Sequence, residues 1–140
     1  MSIPAILAPA FVLVALTFFL HYWMGFSRVT SVTRGETKIR DIALRQPNWP
    51  ARTTQIANAY HNQFELPVLF YVLVAFSLFT RQADLLFVAM SWPFVALRLL
   101  HAYVMVTSNH VPRRFQVHFA ASAVLLLMWA IFAIRILVNI

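Results

Sequence analysis

The chain has 140 residues, 61% hydrophobic and 11% charged, with a mean hydropathy of +0.74 and a formal net charge of +7. Its apolar runs approach bilayer length and its polar segments are too brief for a separate soluble core, so a single integral membrane domain, residues 1–140, is expected. There is no cysteine, which excludes disulfides, zinc–thiolate centres and a protein thiol nucleophile, and the basic excess sits in short segments beside apolar runs. That distribution follows the positive-inside rule and argues against nucleic acid and for membrane lipids as electrostatic partners.

In chain order, residues 3–26 carry no charge and are long enough to span with some tilt, and His21, Tyr22 and Trp23 near their end read as an interfacial belt. No positive segment precedes this run and no small-residue cleavage pattern comes after it, so it reads as a retained span rather than a signal peptide. Residues 27–52 form the one substantial polar loop, with Arg28, Arg34, Lys38, Arg40, Arg45 and Arg52 against Glu36 and Asp41; at most a short helix is expected in it, and Thr53 or Thr54 could cap the next helix. The second span is placed at 56–79, kinked by Pro67 beside Glu65, and the tight turn at residues 80–84 folds it back on the third, 85–106, as an antiparallel hairpin. A short basic connection, 107–114, leads to the fourth span, 115–138. The expected fold is therefore all-α, a four-transmembrane-helix bundle of up-down topology with both termini on one side. Loops 27–52 and 107–114 hold eight of the Lys and Arg residues, against Arg81 and Arg135 on the other face, which predicts those loops to be cytoplasmic.

Two spans carry charge at depth. The uncharged run from Leu66 to Thr80 reaches only ~22 Å of a hydrocarbon core of about 30 Å, which draws Glu65 into the bilayer, and the third span must continue through Arg98 and His101. Counted from the turn, Glu65, Arg98 and His101 lie at similar depth, so Glu65 and Arg98 are expected to pair. Asn58, His61, Asn62 and Glu65 recur at helical spacing on the second span, as do Arg114 and His118 on the fourth. Such a layer could be a buried pair that fixes hairpin register, or a cavity for a small zwitterionic or anionic ligand; the excess of polar groups beyond one pair favours the cavity. A metal or haem site at His61, Glu65 and His101 has no compact signature to support it, and no metal is expected.

Asn62–x–x–Glu65 followed by Pro67, Arg98–x–x–His101, Pro112–x–Arg114, the basic first loop and four spans in a chain of this length resemble the MAPEG family, the membrane-associated proteins of eicosanoid and glutathione metabolism, in its bacterial form. The resemblance implies a homotrimer, in a bacterial inner membrane, that binds glutathione as co-substrate between subunits on the cytoplasmic side and receives a lipophilic electrophile from the bilayer, as a glutathione-dependent transferase or peroxidase. By position it implies that Asn62 and Glu65 hold the polar ends of glutathione, that Arg98 and His101 line its site with His61 and His118 nearby, and that Arg114 stabilises the thiolate. Asn58, Met105 and His118 stand where active members usually carry an arginine and two tyrosines, which supports a reading of another class: a non-catalytic assembly or accessory subunit that partners other integral membrane proteins.

Overall fold

A computed structural model describes residues 1–140. It contains five α-helices that make four membrane-length segments: α1 (Ile3–Thr33), α2 (Ala51–His61) continued by α3 (Leu66–Phe79), α4 (Leu85–Val106) and α5 (Val111–Val138). The all-α, four-span architecture expected from hydropathy is the observed one. The helices outrun the apolar segments on the side of the long loop. α1 continues past Phe26 because residues 27–33 contain no Gly or Pro, and it stops where Gly35 takes a positive φ of 74°. At 31 residues α1 measures ~46 Å, more than the hydrocarbon core, so its last turns stand in the headgroup region. α2 likewise starts at Ala51 rather than residue 56, directly after Pro50, and α5 at Val111 rather than residue 115, with Pro112 in its first turn. Thr53 is not a cap: Pro50 holds that position, and the Thr53 hydroxyl instead meets the Ser27 hydroxyl at 2.7 Å, tying α2 to α1. The remaining loop contains only a 3-10 turn at Ile39–Asp41.

Pro67 does more than kink the second span. The helix ends at His61, a 3-10 turn runs Asn62–Phe64, Glu65 leaves helical conformation at φ −96°, ψ −107°, and α3 starts afresh with Pro67 in its first turn. Proline lacks the N–H the preceding turn needs and its ring crowds the carbonyl four residues back, so a restart is the relaxed solution. α4 tolerates Pro93 without such a break.

The break divides the expected hairpin in two. α2 packs on α4 and α1, whereas α3 leans on α1 and α5 and makes no comparable backbone approach to α4; α4 pairs most extensively with α5. What joins α3 to α4 is side chain: Phe70 and Phe94 stack at 4.9 Å, both fully buried with Leu13, Leu73 and Val95. On the far side of α3, the Trp129 indole donates to the Leu69 carbonyl at 3.3 Å and Phe76 meets the Trp129 ring edge-on. The outer surface carries Phe11, Phe18, Phe79, Phe115, Leu126 and other large apolar side chains, as a lipid-facing bundle requires.

At the terminal face, Arg135 of α5 reaches Asp84 at 2.9 Å while Asp84 caps α4 by accepting from the Phe87 N–H at 2.9 Å. Partial burial works to raise the Asp84 carboxyl, but the Phe87 N–H and the Arg135 guanidinium outweigh it and hold the group below its ordinary value. A depressed carboxyl stabilises the fold above the usual aspartate range and loses that contribution as pH falls through its lowered value. Wild type should therefore melt above Asp84→Asn at neutral pH, by a small margin because the carboxylate is 47% exposed, and the two melting curves should converge below about pH 4. A gap that persists unchanged at acid pH would assign the effect to the cap amide rather than to charge.

Candidate functional site

The polar layer is built on the break in the second span. A 3-10 turn advances about 120° per residue, so residues three apart eclipse, and Asn62 and Glu65 stand one above the other across it. The Asn62 side-chain nitrogen donates to Glu65 Oε2 at 2.8 Å. Its amide oxygen accepts from Arg98 Nη2, and the same Nη2 donates at 3.1 Å to the Asn62 backbone carbonyl, which also accepts the Glu65 N–H at 3.3 Å. Arg98 Nη1 lies 3.4 Å from His118 Nδ1 on α5, and the His118 ring stands 5.3 Å from that of His101, one turn beyond Arg98 on α4.

Arg98 is completely buried and His101 nearly so, at 3% exposure, while Asn62 and His118 are half-buried and Glu65 is exposed. The layer therefore grades from an enclosed cation to an accessible carboxylate. The direct Glu65–Arg98 ion pair does not form: the only salt bridges are Arg135–Asp84 and a loose Arg40–Asp41 contact. Asn62 intervenes because its amide can accept from the guanidinium and donate to the carboxylate at once, which joins the two charges without requiring both to be dehydrated. Arg98 Nε and His101 Nδ1 are buried without a partner, so hydrogen-bonding capacity is left over inside the layer.

Five of the eight residues singled out by spacing converge here: Asn62, Glu65, Arg98, His101 and His118. Arg114 stands one turn before His118 on α5, half-buried, and its Nη1 donates to the Asn109 side-chain oxygen at 2.7 Å. His61 goes elsewhere. It lines, with Asn58, Arg28 and Arg45, a separate cavity of about 300 Å³ between α2, the end of α1 and the long loop. Asn58, His61, Asn62 and Glu65 were expected on one face, but adjacent helical residues diverge by about 100°, and that angle sends His61 and Asn62 into different clefts.

A model of the MAPEG family matches residues 6–134, which takes in every span and the whole polar layer. The chain belongs to the MAPEG family. No match was found among curated proteins or among solved structures. This MAPEG chain is thus an integral, multi-pass membrane protein of the family concerned with glutathione and eicosanoid metabolism. Its layer is supported by residues that sequence spacing passed over. Arg52 donates to the Val106 carbonyl and Gln55 to that of Thr107 at 3.0 Å, stitching the start of α2 to the end of α4. Gln63 is buried beside the break and donates back to the Ala59 carbonyl at 3.1 Å. A glutamine inside an apolar span was the available signal for Gln63; Arg52 and Gln55 look like ordinary loop-edge residues and carry none. Met105 packs with Leu20, Ala59 and Ala102 in the core between α1, α2 and α4, so the position faces the bundle interior.

Proposed function

We propose that this MAPEG protein is a glutathione-dependent transferase or peroxidase acting on lipophilic electrophiles dissolved in the membrane. The observation that carries the reading is the graded layer, an enclosed Arg98 clamped by Asn62, an accessible Glu65 beside it and Arg114 one turn from His118. Glutathione is a zwitterion with two carboxylates, one ammonium and one thiol, and the layer offers cations, an amide and one carboxylate in complement. Because the chain has no cysteine, the nucleophile must arrive with the ligand. Glu65 would take the ammonium, Asn62 and Arg98 a carboxylate, with His101 and His118 lining the site. The Arg114 guanidinium, with donors to spare beyond the Asn109 contact, would stabilise the thiolate. That thiolate attacks the electrophilic carbon and displaces its leaving group, or attacks the terminal oxygen of a peroxide, breaking the O–O bond to release the alcohol and leaving glutathione sulfenic acid, which a second glutathione converts to the disulfide and water. We further propose a homotrimer that completes each site with a neighbour's surface, the basic loops being cytoplasmic.

The direct test is isothermal titration of glutathione into the purified protein, paired with turnover of a generic aryl halide. Saturable binding and conjugation are expected. A folded, oligomeric preparation that shows neither would remove this reading and favour the non-catalytic accessory subunit, for which the core-facing Met105 speaks. An accessory subunit should co-purify with another integral membrane protein after gentle extraction.

A further inference from the structure

On the outer side of α1 lies a feature the proposed chemistry does not use. Phe18, Phe19, Tyr22, Trp23 and Phe26 line an open groove of about 500 Å³ that is apolar along its whole length. Trp23 and Phe26 also form the inner wall of a second cavity, of about 450 Å³, between the end of α1 and the start of α2. That cavity is polar at the far end: Ser27, Thr30, Arg34 and Glu36 face it from α1 and the loop, and Arg52 from α2.

The order of side chains along α1 matches the order of groups in a phospholipid. Phe26, Thr30 and Arg34 are successive turns of one stripe, so the surface passes from aromatic to hydroxyl to guanidinium toward the loop face. From Phe18 to Phe26 the groove measures ~12 Å, within the ~15 Å of one leaflet's hydrocarbon, and Arg34 stands ~12 Å further, in the headgroup region. Arg52 is held in place: its guanidinium lies over the Trp23 ring at 5.1 Å and its Nη1 donates to the Val106 carbonyl, which leaves its other donors available. Two guanidiniums against the Glu36 carboxylate leave the cleft one positive charge, the complement of one phosphodiester.

We infer that this cleft and groove together form a specific site for one anionic phospholipid of the loop-side leaflet, its phosphate between Arg34 and Arg52 and an acyl chain along the aromatic groove. The lipid seals the α1–α2 seam outside the polar layer. Its headgroup is set by charge and its chain by the aromatic wall, so zwitterionic lipids of the same chain length bind more weakly.

The test is native mass spectrometry of the intact oligomer, released from detergent with phosphatidylglycerol or phosphatidylcholine added. Wild type should retain phosphatidylglycerol in preference, and Arg34→Gln should lower that preference about fivefold, the effect of one basic residue at a membrane surface. Arg34 is exposed at the end of α1, so the fold survives its replacement. Arg113→Gln, equally basic and on the same face but outside the cleft, should change nothing. Equal loss in Arg34→Gln and Arg113→Gln would overturn the proposal in favour of diffuse attraction to the basic face. So would equal retention of both lipids by wild type. If Phe19→Ala dissociates the oligomer while the lipid preference stands, the groove holds a second copy of the chain and the proposal fails.

Discussion

Asn62→Leu is expected to be the most damaging single change in the membrane interior, lowering the stability of the detergent-solubilised protein by about 2–3 kcal/mol, the cost of leaving a buried charged donor without its side-chain acceptor. Arg98 is fully enclosed, and two of its hydrogen bonds end on Asn62, one on the side chain and one on the backbone carbonyl. Leucine removes the side-chain acceptor and leaves a guanidinium in low dielectric with one carbonyl and the His118 ring. Arg98→Leu should cost less, because it removes the cation together with the need to solvate it, and Asn62→Leu combined with Arg98→Leu should recover much of the single-mutant loss. Glu65→Gln should lose no more than about 1 kcal/mol, since the carboxylate is exposed and touches the cluster only through the Asn62 amide. Thermal melts of the four variants decide it. If Glu65→Gln proved as costly as Asn62→Leu, Arg98 would have to rest on the carboxylate after all.

Arg114→Ala carries the largest expected effect on chemistry, a fall of about 100-fold in kcat/KM for aryl halide conjugation, the usual consequence of deleting one donor that stabilises a developing or standing anion. The loss should depend on pH in a definite direction. A guanidinium beside a thiol favours the thiolate and lowers the thiol pKa; removing it returns the thiol toward its ordinary value near 8.5. The deficit is then greatest at neutral pH and shrinks in alkaline buffer, where glutathione ionises unaided. Asn109→Ala, which frees the Arg114 guanidinium without deleting it, should give a smaller and pH-independent loss. A uniform Arg114→Ala deficit across the whole pH range would make Arg114 a binding residue rather than a thiolate stabiliser.

The number of spans, their up-down alternation and the common level of the polar residues were legible because each comes from counting: apolar length against bilayer thickness, and similar steps from the turn to Glu65, Arg98 and His101. The family was legible from the same residues, and the matched region covers them all. What counting could not supply was azimuth. Pro67 announced a disturbance, but whether a helix bends or restarts depends on what the groups around the break can find, and here the Asn62 carbonyl and side chain find Arg98. The 3-10 turn that results brings Asn62 over Glu65 and lets the amide stand between two charges that arithmetic alone would have joined directly. The same dependence on three-dimensional surroundings separates His61 from the cluster and brings in Arg52, whose role rests on a carbonyl more than fifty residues away in sequence.

The restart at Leu66 also decides how displacement travels through the molecule. A continuous helix is a stiff lever, and a push at one end swings the other. A lever jointed near its middle transmits little past the joint. The terminal half of this span is anchored by the Phe70–Phe94 stack and by the Trp129 indole, while the loop-side half hangs from α4 by Arg52 and Gln55. A push on the polar layer is therefore expected to be taken up at Glu65, leaving the Phe70–Phe94 packing of the terminal half in place.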